Sequence, residues 1–201
     1  MEKETIQVEI PAGKKAAWVD GFLKLVDAEE EQKKDERPIT ERVKTFEDAC
    51  NELGEDHKLV QQFKAIKTAI AEDKEATAYF KLGIITAALN EGWKPDFTND
   101  EEYRYYPWLC LWTNEELEQK TDAWKDERNL QLWVGGGASS YGAFCGLAAA
   151  LSNSAWSSAV ANISARLAHK TEELAIYSGK QFTELWANYT TGKEVTSWRN
   201  S

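Results

Sequence analysis

The stretch KEATAYFKLGIITAALN, residues 74 to 90, is the segment around which the rest of the fold can be arranged. Its large side chains recur at intervals of three or four residues, a spacing that predicts a helix with one face in the core. Gly92 follows and is expected to end the helix. The residues predicted to face the core are Tyr79, Leu82, Ile85 and Leu89.

Two shorter helices are predicted before this one. Thr45 is a suitable N-cap for FEDACNEL, and Gly54 is the stop signal. A second amphipathic run from about residue 56 to 71 places Leu59, Phe63, Ile66 and Ile70 on one side. These segments predict a helical hairpin or bundle.

Short strand-like runs occur at both ends of the chain. Near the N-terminus, Ile6, Val8 and Ile10 alternate with polar residues, and Phe22–Val26 forms a second run. Downstream, we expect a small antiparallel sheet from residues 103–112, 130–134, 143–151 and 163–169, with Pro107 marking an edge or a bulge. An acidic helix over 114–128 and a final helix over 172–190 complete the prediction.

The chain is therefore predicted to be an α+β protein with an N-terminal β unit, a helical hairpin or bundle, and a small antiparallel sheet closed by a C-terminal helix. The expected division is an N-terminal β unit over 1–27, a charged linker over 28–44, a main domain over 45–192 and a tail over 193–201. The linker carries a charge at most positions and has little to bury.

Composition and charge exclude several functions. The 201 residues include 24 Lys and Arg against 34 Asp and Glu, which gives a net charge of −10. Without a basic surplus, the chain is not expected to bind nucleic acid by neutralising phosphates, nor to bind anionic membranes. The N-terminus is charged, and the long uncharged stretch is diluted by Ser, Gly and Asn, so no membrane insertion is expected.

Motifs for catalysis are absent, and we expect no enzyme activity, no catalytic residue, no metal site and no cofactor. The two histidines, His57 and His169, stand in no metal-binding spacing. Cys50, Cys110 and Cys145 are widely spaced and are expected to be reduced thiols. A nucleophile–base pair of Cys145 and His169 is the one alternative, and its spacing does not favour it.

The segment from 135 to 165 is the most informative for function, because it contains no charged residue and is built from nine Ala, seven Ser and five Gly with a few aromatics. Such a composition is typical of recognition loops, and close packing of Gly-rich strands would produce a similar one. As a recognition surface it would bind through Ser139, Ser140, Tyr141, Phe144, Asn153, Ser154, Trp156, Ser158 and Asn162.

Several strings resemble a group of uncharacterised proteins of gut bacteriophages and prophages: ALNEGWKPDF, YRYYPWLCLW, WVGGGASSYGAFCGLAAALSNSAWS and ISARLAHKTEELAIYSGKQFTELWANY. The resemblance covers residues 5 to 27 and about 43 to 190, and it implies that the small-residue segment varies between members. The order Gly136-Gly137, Gly146, Arg166 is also similar to C-type-lectin-like variable proteins diversified by retroelements, which bind ligands through their varied positions.

Arg166 is the only charged residue between Gly135 and Ala168, and it stands in what reads as an apolar strand. We expect its guanidinium to be held by carbonyl groups or a carboxylate, so that it organises the neighbouring loops. The alternative is an edge strand with Arg166 in solvent.

The resulting hypothesis is a non-enzymatic ligand-binding protein, encoded by a phage or prophage, that uses residues 138–162 to bind a host-surface or protein ligand. The alternatives are a structural virion or assembly protein, in which this segment packs against another virion subunit, and an acidic inhibitor of host defence. We expect synthesis in the bacterial cytoplasm, and association with a virion is left open for either role. A homo-oligomer is compatible with either role.

Overall fold

A computed structural model describes residues 9–11, 13–19, 22–27, 35–99, 101–134, 146–156 and 165–200. The chain separates into two compact units, residues 1–37 and 38–201. The fold is α+β, as the sequence predicts.

The first unit contains an antiparallel hairpin of β1 (Lys14–Val19) and β2 (Phe22–Asp27), in which Val19 lies opposite Phe22. The predicted strand in Phe22–Val26 is therefore confirmed. Its partner is not the predicted run around Ile10, because residues 9–11 are not extended into a strand. Ile6 and Val8 lie outside the described residues.

The second unit begins with four helices. Thr45 caps the second through a reciprocal bond with Asp48, and Asp73 caps the fourth by accepting from the backbone of Ala76. Both caps satisfy amide groups that the first turn of a helix leaves unpaired. The four are α1 (Ile39–Arg42), α2 (Phe46–Leu53), α3 (Lys58–Ile66) and α4 (Lys74–Leu89).

The prediction of a solvated linker is wrong at its C-terminal end. Ile39 and Val43 are buried and belong to the main hydrophobic core. Two apolar side chains in an otherwise charged stretch are enough to fold one helical turn onto the core. Residues 28–34 lie outside the described part of the chain.

The second unit also contains a four-stranded antiparallel sheet in the order β3-β5-β4-β6. The last strand falls in the predicted tail, so the tail boundary at 193 is wrong, because Trp133 and Val195 pair across β4 and β6. The strands are β3 (Tyr103–Trp112), β4 (Gln131–Trp133), β5 (Gly146–Trp156) and β6 (Val195–Ser197).

The predicted strand over 163–169 is also wrong in the part that the structure describes, residues 165–169. Ala165–Leu167 is a 3-10 turn, and His169 alone forms a bridge, with Tyr105. The physical reason is the burial of Leu167 and Ala168, two consecutive residues. A strand would direct consecutive side chains to opposite faces, whereas a turn can bury both.

Four helices cover the sheet region. The predicted acidic helix over 114–128 is two helices, α5 (Asn114–Glu118) and α6 (Asp122–Glu127). The predicted final helix is likewise two, α7 (Glu172–Gln181) and α8 (Thr183–Thr191). They divide at Phe182, where the Thr183 hydroxyl donates to the Gly179 carbonyl at 2.6 Å.

The main core is formed by α4 with the helices on either side of it. Leu82 and Leu89 are fully buried, as predicted, but the prediction of a single buried face is wrong, because Ile84 and Ala88 on the opposite side of α4 are buried as well. Trp186 of α8 and Leu174 of α7 belong to the same core. Leu117 and Leu130 form a second buried cluster. The partly buried side chains that pack against it are Trp112, Trp124, Leu132 and Trp198.

Candidate recognition surface

The predicted ligand-binding residues fall into two groups. The backbone of Asn153, Ser154 and Trp156 lies in β5, an interior strand of the sheet. The others lie outside the described residues, namely Ser139, Ser140, Tyr141, Phe144, Ser158 and Asn162.

The three predicted residues in β5 lie beside tyrosines of β3. Trp156 is opposite Tyr103, and Ser154 is opposite Tyr105. Asn153 is opposite Tyr106, which is buried, whereas Tyr103 and Tyr105 are half-buried with ring centroids 6.5 Å apart. This end of the β3–β5 ribbon therefore aligns positions 154 and 156 with Tyr105 and Tyr103, whereas position 153 is aligned with the buried Tyr106, on the other face of the sheet.

Strand β3 forms an edge of the sheet, which confirms the position predicted for Pro107. Tyr105 uses its N–H and C=O to bond His169, on the side away from β5. Alternate residues of an antiparallel strand bond to the same side, so Pro107 also faces away from β5. Its missing N–H costs no bond in the ladder. The extra residue of the bulge is Ala150 of β5, which has no partner in β3.

Two large apolar side chains on β3 are exposed. Trp108 is 49% exposed and Leu111 is 44% exposed. No charged side chain follows Arg104 in this strand. Edge strands are usually protected by charge, proline or a bulge, and beyond Arg104 the one such device on β3 itself is Pro107.

Arg104 supports this ribbon from beneath, although the sequence analysis did not single it out. Its side chain is fully buried, and the guanidinium carbon lies 4.8 Å from the centre of the Phe97 ring. Glu102 folds the preceding loop by accepting from the Trp93 indole at 3.0 Å and from the Asp96 amide at 2.7 Å. An arginine alternating with tyrosines in a strand was the available clue.

His169 anchors the outer side of the same ribbon. It exchanges two backbone bonds with Tyr105, and its fully buried ring lies 6.5 Å from that of Trp186. Neither ring nitrogen has a hydrogen-bond partner among the described residues. Burial lowers the pKa of His169 to about 4, so the imidazole is neutral near pH 7.

Asn90 organises the turn that precedes His169. Its amide nitrogen donates to the carbonyl of Ala168 at 2.7 Å, and its amide oxygen accepts from the Lys170 N–H at 3.0 Å. Asn90 is itself buried. This pair of bonds fixes the chain on both sides of His169 and joins the end of α4 to it.

Glu91 extends this connection at the surface. It accepts from Lys170 Nζ at 3.0 Å and from Arg42 Nη2 at 2.8 Å, and Arg42 also contacts Glu52. The hydrogen bond from Lys170 and the nearby positive charges hold the pKa of Glu91 below its usual value. The carboxylate therefore ties α1 and the 168–170 turn to the end of α4.

Arg166 does not occupy the predicted strand. It lies in the 3-10 turn and is exposed. The proposal that carbonyl or carboxylate groups hold its guanidinium stays a prediction. The contacts that fix the neighbouring turn are made by Asn90 and Glu91, which the sequence analysis missed because their partners lie about 80 residues away.

The pair of Cys145 and His169 is not tested, because one of its two members is not described. The His57 ring accepts from the Leu59 amide at 3.3 Å as the N-cap of α3, and Cys145 lies outside the described residues. Cys50 and Cys110 are half-buried free thiols. Within the described ranges, His, Cys, Asp and Glu form no group of three suited to a metal ion.

Among the described helices, none combines the length and the apolar character needed to cross a membrane. Comparison of the chain with family models, with curated proteins and with solved structures finds no match. The arguments about function therefore start from the β3–β5 ribbon and its supports.

Proposed function

We propose that this chain is a non-enzymatic binding protein, encoded by a phage or prophage, that recognises a host-surface or protein ligand. The proposed recognition surface consists of residues 138–162 together with Tyr103 and Tyr105 of β3. The resemblance of four long strings to gut-phage proteins supports the origin.

The observation that carries the proposal is the register of β3 and β5. It aligns Tyr103 with Trp156 and Tyr105 with Ser154, so two separate polar-aromatic segments of the sequence become neighbours. Tyrosine and tryptophan offer a large contact area at a small entropic cost, and serine and asparagine adapt their hydrogen bonds to a ligand.

The supports of the ribbon favour the same role. Arg104 beneath Phe97 and His169 beside Tyr105 fix the backbone of β3 from two sides. A surface that is already ordered before it binds loses less conformational entropy on association. The buried polar contacts therefore serve to hold the recognition residues in place.

A second candidate is an assembly role, favoured by the exposure of Trp108 and Leu111 on the edge strand β3. Exposed apolar groups on a sheet edge are suited to packing against another protein chain. In that case Trp108, rather than Trp156, is the residue on which association depends.

A binding assay on whole cells separates these roles. The labelled full-length chain is incubated with a panel of fixed gut bacteria, and retention is measured by flow cytometry. We expect retention on some strains, at least a tenfold loss for Tyr141→Ala and for Trp156→Ala, and little change for the matched control Trp108→Ala. Absence of retention across the panel, or equal retention by all variants, would contradict the proposal.

A further inference from the structure

A polar cleft lies between the sheet and the junction of α7 and α8. Its volume is about 390 Å³, within the range of small-molecule sites. Helix α8 covers the sheet face at the Val195–Trp133 pair, where Ala187 and Val195 are buried together. At the next pair on the same face, Gln131 and Ser197, the start of α8 leaves the cleft open.

Gln131 lines this cleft with an unused hydrogen-bond acceptor. The residue is 4% exposed, and its Nε2 donates to the backbone carbonyl and to the side-chain oxygen of Asn129, both at 3.1 Å. Both partners are acceptors, so the amide nitrogen must face Asn129 and Oε1 is left free. Among the described residues, no donor bonds to Oε1. A buried carbonyl without a donor is costly, and a ligand hydroxyl in the cleft would remove that cost.

Asn129 holds the Gln131 amide in this orientation. Its own Nδ2 donates to the carbonyl of Lys180 at 3.0 Å, so its Oδ1 is the atom left for Gln131. Asn129 has a left-handed backbone, with φ of 47°, which asparagine tolerates better than most residues. The free acceptor of Gln131 is therefore ordered before a ligand binds, which lowers the entropic cost of binding.

The other groups around the cleft indicate the class of ligand. Glu184, which makes no ion pair among the described residues, adds a carboxylate, and Asn200 adds an amide that can both donate and accept. Phe182 and Leu185 supply apolar surface. A polyhydroxyl ring compound matches both parts, because its hydroxyls donate and accept hydrogen bonds while its C–H groups are apolar.

Charge narrows the class further. In the part of the chain that the structure describes, no Lys, Arg or His lines the cleft. Lys180 and Arg199, which adjoin lining residues in the sequence, are paired with Glu127 and Asp126. A phosphorylated, sulfated or carboxylated sugar would therefore place its charge near Glu184 without a compensating cation. The lining favours a neutral saccharide.

We propose that this cleft binds a neutral saccharide unit. Oε1 of Gln131 and the carboxylate of Glu184 accept hydrogen bonds from its hydroxyls, and Phe182 and Leu185 pack against its C–H face. The described residues that line the cleft all lie outside the recognition surface, so this proposal is independent of the proposed function.

Saturation-transfer difference NMR on the full chain tests the proposal, with free glucose, galactose, mannose and N-acetylglucosamine as the probes. We expect at least one of them to bind. Its affinity should fall at least tenfold in Glu184→Ala, which alters an exposed residue, and in Gln131→Met, which keeps the length of the side chain without its polar atoms. Glu172→Ala, which removes an exposed carboxylate from the first turn of α7, is the matched control and should bind as the wild type does.

Thermal melting of each variant verifies that it is folded, and Glu184→Ala alone decides the matter if Gln131→Met is not. The 6-phosphate of the bound sugar should bind at least tenfold more weakly than the sugar itself, and equal or tighter binding would contradict a site without a cation. Three further results would overturn the proposal: no binding of any probe, equal binding by the wild type and the folded cleft variants, or displacement of the sugar by butylammonium, which would show a cation site at Glu184.

Discussion

Tyr105 and His169 exchange two backbone hydrogen bonds, of 2.9 and 3.1 Å, although 63 residues lie between them in the sequence. This single bridge brings the turn that contains His169 against the outer side of β3. The ring of His169 is fully buried and lies next to the ring of Trp186. The contact that anchors the β3–β5 ribbon therefore contains a titratable group.

The stability of the protein should depend on the protonation of His169. Its pKa of about 4 in the folded chain lies below the usual value of 6.5. Protonation of His169 therefore favours the unfolded chain. The stability that depends on a neutral His169 is fully present above pH 6.5 and is lost as the pH falls toward 4. We expect a loss of about 2 kcal/mol between pH 7.5 and pH 5.

Denaturant unfolding at these two pH values measures this effect. His169→Phe should remove most of the difference between them, whereas His57→Gln, which changes the half-buried cap of α3, should retain it. An equal pH dependence in the wild type and in His169→Phe would show that other groups cause it.

Removing the side chain of Asn90 should destabilise the second unit. Asn90→Ala leaves the buried Ala168 carbonyl without its donor and the Lys170 amide without its acceptor. The expected cost is about 2–4 kcal/mol, since each lost partner in a buried site costs about 1–3 kcal/mol. Thermal unfolding measures it, with the exposed Asn51→Ala in α2 as the matched control, for which a change within about 0.5 kcal/mol is expected.

Two leucines test whether α4 is the centre of the core. Leu82 is fully buried and Leu111 is 44% exposed. Leu82→Ala should cost about 2–5 kcal/mol because it leaves a cavity, and Leu111→Ala should cost well under half as much. Similar urea midpoints for the two variants would show that the core is not centred on α4.

The elements that the sequence predicted well are those determined locally. The helical state of α4 and the Thr45 cap need only neighbouring residues, and Pro107 restricts its own strand to an edge. Strand β6 was missed because three residues of a strand carry little periodicity and acquire their order by pairing with β4. The division at Phe182 was missed for a similar reason, since the residues on both sides of it favour a helix.

The supports of the candidate site were harder to predict. Arg104, Asn90 and His169 are ordinary polar residues in sequence, and their roles come from burial against segments far along the chain. Conversely, Arg166 was predicted as an organiser because it is isolated in an uncharged segment. Isolation in sequence does not determine burial, and in the folded chain Arg166 is exposed.

The most direct test of the recognition surface is the thermal melting of Tyr141→Ala and Trp156→Ala. If residues 138–162 serve binding rather than packing, both variants should melt within a few degrees of the wild type, because exposed substitutions usually change stability by about 0.5 kcal/mol. If the segment instead packs in the protein interior, truncating a buried Trp should lower the free energy of unfolding by about 3–5 kcal/mol. A large fall in melting temperature for both variants would contradict the recognition role.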